Sequence, residues 1–164
     1  TNSIFFIIFR DPIYQSLSLL NMHKRFTKLQ NKDKYILDYM NLIGHREFGK
    51  GARKFSYGNK VIKKNKKFHI NTINYWLEQW INCYSWLLKK KLFLQKNIYF
   101  VSYEKVCRDD EYLNNLYSIL KISKNNPTIL DLKNKELDFC EYEIDTSLKE
   151  MSYKIYEEMS NLPF

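Results

Sequence analysis

The sequence predicts an α/β fold, a parallel sheet flanked by helices, and two observations carry that prediction. Residues 4–9 (Ile-Phe-Phe-Ile-Ile-Phe) and 97–102 (Asn-Ile-Tyr-Phe-Val-Ser) are short apolar runs rich in β-branched and aromatic residues, the composition of strands buried on both faces. The long stretch between them carries apolar residues at helical spacing. A crossover of that length joins parallel strands, whereas antiparallel neighbours need only a tight turn. At 164 residues, 45% of them hydrophobic, the chain fits one domain with a packed core.

The first run stops abruptly at Arg10-Asp11-Pro12. Six apolar residues cannot span a bilayer, which takes about 20. Pro12 suits the first turn of a helix, where its missing N–H costs nothing. Arg10 and Asp11 therefore sit at a strand's carboxyl end, where open α/β sheets bind ligands. Ser18 lies about two helical turns further on. An arginine fork and a hydroxyl converging there can hold a phosphate.

Residues 12–30 then read as a helix, with Ile13, Leu17, Leu20 and Met22 as its apolar positions. Residues 32–43 read as a second helix, with Tyr35, Ile36, Tyr39, Met40 and Ile43 on one side and Gly44 as its terminator. Residues 44–67 hold all four glycines and a dense set of Lys and Arg, the character of a ligand loop or of a solvated surface loop. Residues 68–90 form the most strongly periodic helix, with Trp76, Leu77, Trp80, Ile81, Tyr84 and Leu88 in register and Asn71 or Thr72 as cap. That aromatic stripe reads as core. After the second strand, residues 104–120 read as one helix, Asn125-Asn126-Pro127 as a break, and residues 147–159 as a final helix.

The net charge of +9 favours an anionic partner. Cys83, Cys107 and Cys140 form no CxxC pair and no zinc pattern with His23, His45 and His69, so buried free thiols in a reducing, cytoplasmic compartment and no metal are expected. His23, followed by Lys24 and Arg25, reads as a surface residue, and His69 as capping or solvated. The N-terminal run lacks the basic flank and cleavage site of a signal peptide. The chain opens almost directly on a strand and without Met, which suggests a piece of a longer protein. Gly44-His45-Arg46-Glu47-Phe48-Gly49-Lys50-Gly51 approaches the pattern GxxxxGK[ST]. Gly51 stands where a Ser or Thr would hold magnesium, and the preceding segment reads as helix, so it is not a Walker loop.

Taken together, Arg10-Asp11-Pro12 followed by Ser18 resembles the 3′-phosphate-binding segment of sulfotransferases. Ser102-Tyr103-Glu104 after a strand looks like the family's later Tyr-Glu signature, and the Trp-rich helix before it fits the family's order. Residues 40–49, Met-Asn-Leu-Ile-Gly-His-Arg-Glu-Phe-Gly, look like a segment of bacterial-type members. The similarity covers most of residues 4–122. It implies the C-terminal part of a P-loop NTPase-like sulfotransferase fold, one partial domain over 1–164. The implied reaction is transfer of a sulfuryl group from 3′-phosphoadenosine 5′-phosphosulfate to a hydroxyl or amine. By the same resemblance Arg10 and Ser18 bind the 3′-phosphate and Tyr103 lies near the adenine. One charge-assisted hydrogen bond is worth about 1.5–3 kcal/mol, so Arg10→Ala is expected to weaken donor binding by roughly tenfold to a hundredfold.

The chain also departs from the family. The Lys-Ser/Ala-Gly-Thr-Thr turn that takes the 5′-phosphosulfate has no match, and in family order it precedes Thr1. The upstream catalytic His or Glu and the late Arg-Lys-Gly loop have none either. The resemblance thus implies half of a donor site. His45 and Glu47 are the acceptor-side candidates, because a His of near-neutral pKa suits proton removal from an acceptor hydroxyl. The expected acceptor is a small molecule or a glycan. The rival reading is a non-catalytic nucleic-acid- or polyanion-binding module that uses Lys50, Arg53, Lys54, Lys60, Lys63, Lys64, Lys66 and Lys67 with Phe55, Tyr57 and Phe68.

Overall fold

The computed structural model describes residues 3–55, 68–122 and 142–162. β1 (Phe5–Phe9) and β2 (Ile98–Ser102) pair in parallel, Phe5 opposite Ile98 and Phe9 opposite Ser102. Three helices make the crossover: α1 (Pro12–Lys32), α2 (Lys34–Leu42) and α3 (Ile73–Lys89). α4 (Tyr103–Arg108) follows β2 without a break, then α5 (Asp110–Leu120), and α6 (Thr146–Ser160) closes the described chain. The fold is α/β, mostly helical, with a two-stranded parallel sheet among the described residues.

α1 starts where the sequence sets it. Pro12 occupies the first turn, and the Asp11 carboxylate accepts from the N–H groups of Ile13 and Tyr14 at 2.9 and 3.0 Å. Ile13, Leu17 and Leu20 then face α3, which contributes Leu77, Trp80 and Ile81, and α6, which contributes Leu148, Ile155 and Met159. Phe9 joins this cluster from the sheet, with its ring edge-on to Tyr156 at 5.6 Å. Burying so many large side chains is the main favourable term holding the layers together.

Several expectations are corrected. β1 is not buried on both faces: Phe5 is 55% and Ile8 61% exposed. The helices cover Phe9 at the end of the strand, whereas Phe5 at its start and Ile8 on the opposite side stay exposed, although Val101, the β2 partner of Ile8, is buried. The helix expected from residue 68 begins at Ile73. Residues 68–72 form a turn in which the Thr72 hydroxyl donates to the His69 carbonyl at 2.7 Å, so Thr72 occupies the cap position without capping. The helix expected over 104–120 is two helices. Asp109 is extended and caps α5, its carboxylate accepting from the Tyr112 N–H at 3.0 Å. On α2 only Met40 of the expected apolar side is buried, and Tyr35, Tyr39 and Ile43 face solvent. Cys83 and Cys107 are free and half-buried. Cys140 and the break at 125–127 lie outside the described residues.

Candidate functional site

Arg10, Ser18 and Tyr103 line one cleft of about 280 Å³ at the carboxyl ends of the two strands. Each is delivered by a separate element. Arg10 is the first residue past β1, Ser18 sits on the exposed side of α1, and Tyr103 opens α4 directly after β2. The Arg10 guanidinium lies 4.9 Å from the Tyr103 ring centre and 5.4 Å from that of Tyr14. Its Nε is 3.7 Å from a carboxylate oxygen of Glu104. A guanidinium presents its N–H donors in a planar fork, the geometry that suits a phosphate or a carboxylate.

Glu104 is itself fixed. The oxygen nearest Arg10 accepts from the Asp11 N–H at 3.0 Å, and the other accepts from the Tyr156 hydroxyl at 3.1 Å. Asp11, besides capping α1, accepts from the Tyr153 hydroxyl at 3.1 Å. Two tyrosines of α6 thus hold the acidic residues that follow both strands. Burial, then the Glu104 charge, pushes the Tyr156 hydroxyl up to about 12, and burial with Asp11 raises Tyr153 in the same direction. Both stay protonated donors at neutral pH. Tyr103 is also raised, first by desolvation and then by the neighbouring Cys107 thiol, so a neutral ring faces the cleft. No sequence signal pointed to Tyr153 or Tyr156, which read only as helix positions some 140 and 50 residues from their partners.

A second cleft of about 220 Å³ adjoins the first, and Gln15 and Leu19 line both. Gln15 forms part of the partition. Its carbonyl oxygen accepts from the Trp80 indole N–H at 3.0 Å and from the Arg10 backbone N–H at 3.3 Å. The far wall carries Glu47, Phe48, Arg53 and Lys54. Glu47 holds the His45 ring, Nδ1 to carboxylate, at 2.8 Å. His45 is largely exposed and reaches the cleft through Glu47 rather than lining it. Lys54 lies 3.6 Å from Glu78 and 4.6 Å from the Tyr75 ring centre.

The segment carrying this wall is pinned to α1 by two buried polar side chains. His23, only 4% exposed, accepts from the Gly49 N–H through Nδ1 at 3.1 Å, and Gln30 accepts from the Lys50 N–H at 2.7 Å. Gly49 has φ +77°, and an added Cβ would collide with Gln30. This corrects the reading of His23 as a surface residue. Its charged sequence neighbours point outward, while its ring packs 5.6 Å from that of Trp76. His69, on the turn before α3, accepts from the Asn71 N–H at 3.2 Å.

Of the basic loop, residues 56–67, including Tyr57, Lys60, Lys63, Lys64, Lys66 and Lys67, lie outside the described residues. Among the described residues no group of His, Cys, Asp and Glu is placed to hold a metal ion, and no helix is long and apolar enough to cross a membrane. No protein-family model, no curated protein and no solved structure matches the chain.

Proposed function

We propose that the chain is a sulfotransferase domain of the P-loop-like α/β type. Its strand-end cleft takes the 3′-phosphate end of 3′-phosphoadenosine 5′-phosphosulfate, and its second cleft presents a hydroxyl or amine acceptor. The observation that supports this reading is convergence: Arg10 and Ser18, two turns apart on one side of the sheet, share a cleft with Tyr103, which the sequence separates from them by more than eighty residues. The residues fit the group. A guanidinium and an exposed hydroxyl suit a phosphate, and a neutral aromatic ring suits a purine face. About 280 Å³ falls just short of the ~300–1,000 Å³ of whole-ligand pockets, which accords with a cleft for one end of the donor.

Arg10 and Ser18 would then fix the donor, and Gln15 would separate it from the acceptor. The donor supplies the sulfuryl group: its sulfur–oxygen bond to the 5′-phosphate breaks as the acceptor oxygen or nitrogen bonds sulfur, and the acceptor proton leaves to the His45–Glu47 pair. Such transfers gain most from positioning and charge stabilisation. The free thiols of Cys83 and Cys107 fit a reducing, cytoplasmic setting. For the rival nucleic-acid or polyanion module on residues 50–67, the described part of the loop exposes Lys50 and Arg53, whereas Lys54 pairs with Glu78 and lies over the Tyr75 ring.

Calorimetric titration with adenosine 3′,5′-bisphosphate tests the reading. Arg10→Ala should weaken binding by about tenfold to a hundredfold, and Ser18→Ala by up to about tenfold, with circular dichroism unchanged. Binding that is indifferent to both substitutions would remove the donor site from this cleft.

A further inference from the structure

The end of the sheet opposite the strand-end cleft carries a different kind of surface. α3 runs out into Lys89-Lys90-Lys91, a single turn follows over Leu92–Leu94, and Lys96 precedes β2. All four lysines are exposed, and so is Leu94, at 68%. The amino end of β1 lies against this stretch. The Phe5 N–H donates to the Asn97 carbonyl at 2.8 Å, and the Asn97 side chain donates to the Ser3 carbonyl at 3.1 Å. Exposed Ile4 and Phe5 therefore adjoin the lysine-flanked turn. Each strand has five residues, roughly 15 Å, which separates this surface from Arg10 and Tyr103.

Charge decides what fits there. No Asp or Glu occurs between Glu78 and Glu104, and among the described residues none of the four lysines pairs with a carboxylate. The α3 dipole accounts for cations in the helix's last turn. It accounts neither for Lys96, beyond the next turn, nor for an exposed Leu94. The complement is an anionic surface that also accepts apolar side chains. Nucleic acid is met best by arginine forks and stacked flat rings. Here the cations are lysines, which act as point charges, and Leu94 and Ile4 are aliphatic, gaining most by leaving water for hydrocarbon. Lys90 also lies 5.7 Å from the ring centre of half-buried Trp86, and an indole suits the headgroup level of a bilayer.

We propose that this end of the sheet docks on the surface of an anionic phospholipid bilayer. Leu94, Ile4 and Phe5 enter the acyl boundary, and Lys89, Lys90, Lys91 and Lys96 meet the headgroup phosphates. The strand-end cleft, at the other end of the sheet, stays in water. The proposal stands on this surface alone and does not depend on what the clefts bind.

The test is co-sedimentation of the full chain with vesicles of phosphatidylcholine alone and of phosphatidylcholine with about a third phosphatidylserine. Binding should appear with the phosphatidylserine vesicles and weaken about tenfold or more when salt rises from about 0.1 to about 0.5 M. Each lysine near an anionic bilayer is worth about fivefold in affinity, so the double variant Lys90→Gln, Lys91→Gln should bind about 25-fold more weakly. Leu94→Gln should cost about threefold to tenfold and leave the salt dependence in place. Both variants alter exposed side chains, and an unchanged circular dichroism spectrum verifies that they fold. A folded chain that ignores phosphatidylserine vesicles, or binds them equally well in both variants, would overturn the proposal. So would a single-stranded oligonucleotide that competes the chain off the vesicles and loses its own affinity in the lysine variant but not in Leu94→Gln, which would assign the surface to nucleic acid.

Discussion

Arg10 and His23 show how far a single side chain can be read from its neighbours in sequence. Arg10 follows six apolar residues and precedes Asp-Pro, so the strand end and its cation are local features, and the structure places the residue there, half-buried. His23 is flanked by Lys24 and Arg25, yet it is buried because its partners are Gly49 and Trp76, both remote in sequence. This burial has a pH consequence. Desolvation lowers the His23 pKa below its ordinary 6.5, the nearby His69 lowers it further, and a hydrogen bond with Asn71 works in the opposite direction. The unfolded chain therefore takes up a proton that the folded chain refuses. Stability contributed by neutral His23 is present above pH 6.5 and is lost as the pH falls below it, levelling off only beneath the lowered folded value. Urea midpoints should drop between about pH 7.5 and 5.5 with a slope of up to about 1.4 kcal/mol per pH unit from this group, and His23→Gln should remove that component. An identical pH dependence in the variant would refute the assignment.

At the scale of elements, the helical period was legible wherever one face meets the core, as in α3 and α6, whose expected apolar positions are largely buried. It misled where local hydrogen bonding overrides period. Asp109 divides the stretch after β2 into two helices because its carboxylate satisfies the second helix's N-terminus, and an Asp inside an amphipathic pattern does not announce that role. Asp11 does similar work for α1 and also receives the Tyr153 hydroxyl. Asp11→Ala should therefore lower stability by about 2–3 kcal/mol, a cap plus a buried hydrogen bond, and Asp11→Asn by less than about 1 kcal/mol because the cap survives. Chemical denaturation of the two variants checks this, and equal losses would show that the carboxylate's second oxygen, not the cap, carries the effect.

Over the whole molecule, the parallel pairing of β1 and β2 was legible from two strand-like runs and the length between them, and with it the position of the cleft. What braces the strand ends was not. α6 joins through Tyr153 and Tyr156, whose significance exists only once residues 11 and 104 are side by side. The second cleft was half legible: residues 44–67 read equally as a ligand loop or a solvated surface loop, and the aromatic stripe of α3 read as core, whereas the structure shows that the stripe both fills the core and walls the cleft. The molecule is thus a small sheet whose strand ends carry the cation and a helical layer whose inner face carries the aromatic cleft, with Gln15 between them. The central claim is that the strand-end cleft recognises a 3′-phosphate. It is tested most directly by comparing the affinities of the intact chain for adenosine 3′,5′-bisphosphate and adenosine 5′-monophosphate by calorimetry, then repeating the pair on Arg10→Ala. The account predicts a preference of about tenfold or more for the bisphosphate that collapses towards unity in the variant; equal affinities in the intact chain, or a preference that survives the loss of Arg10, would contradict it.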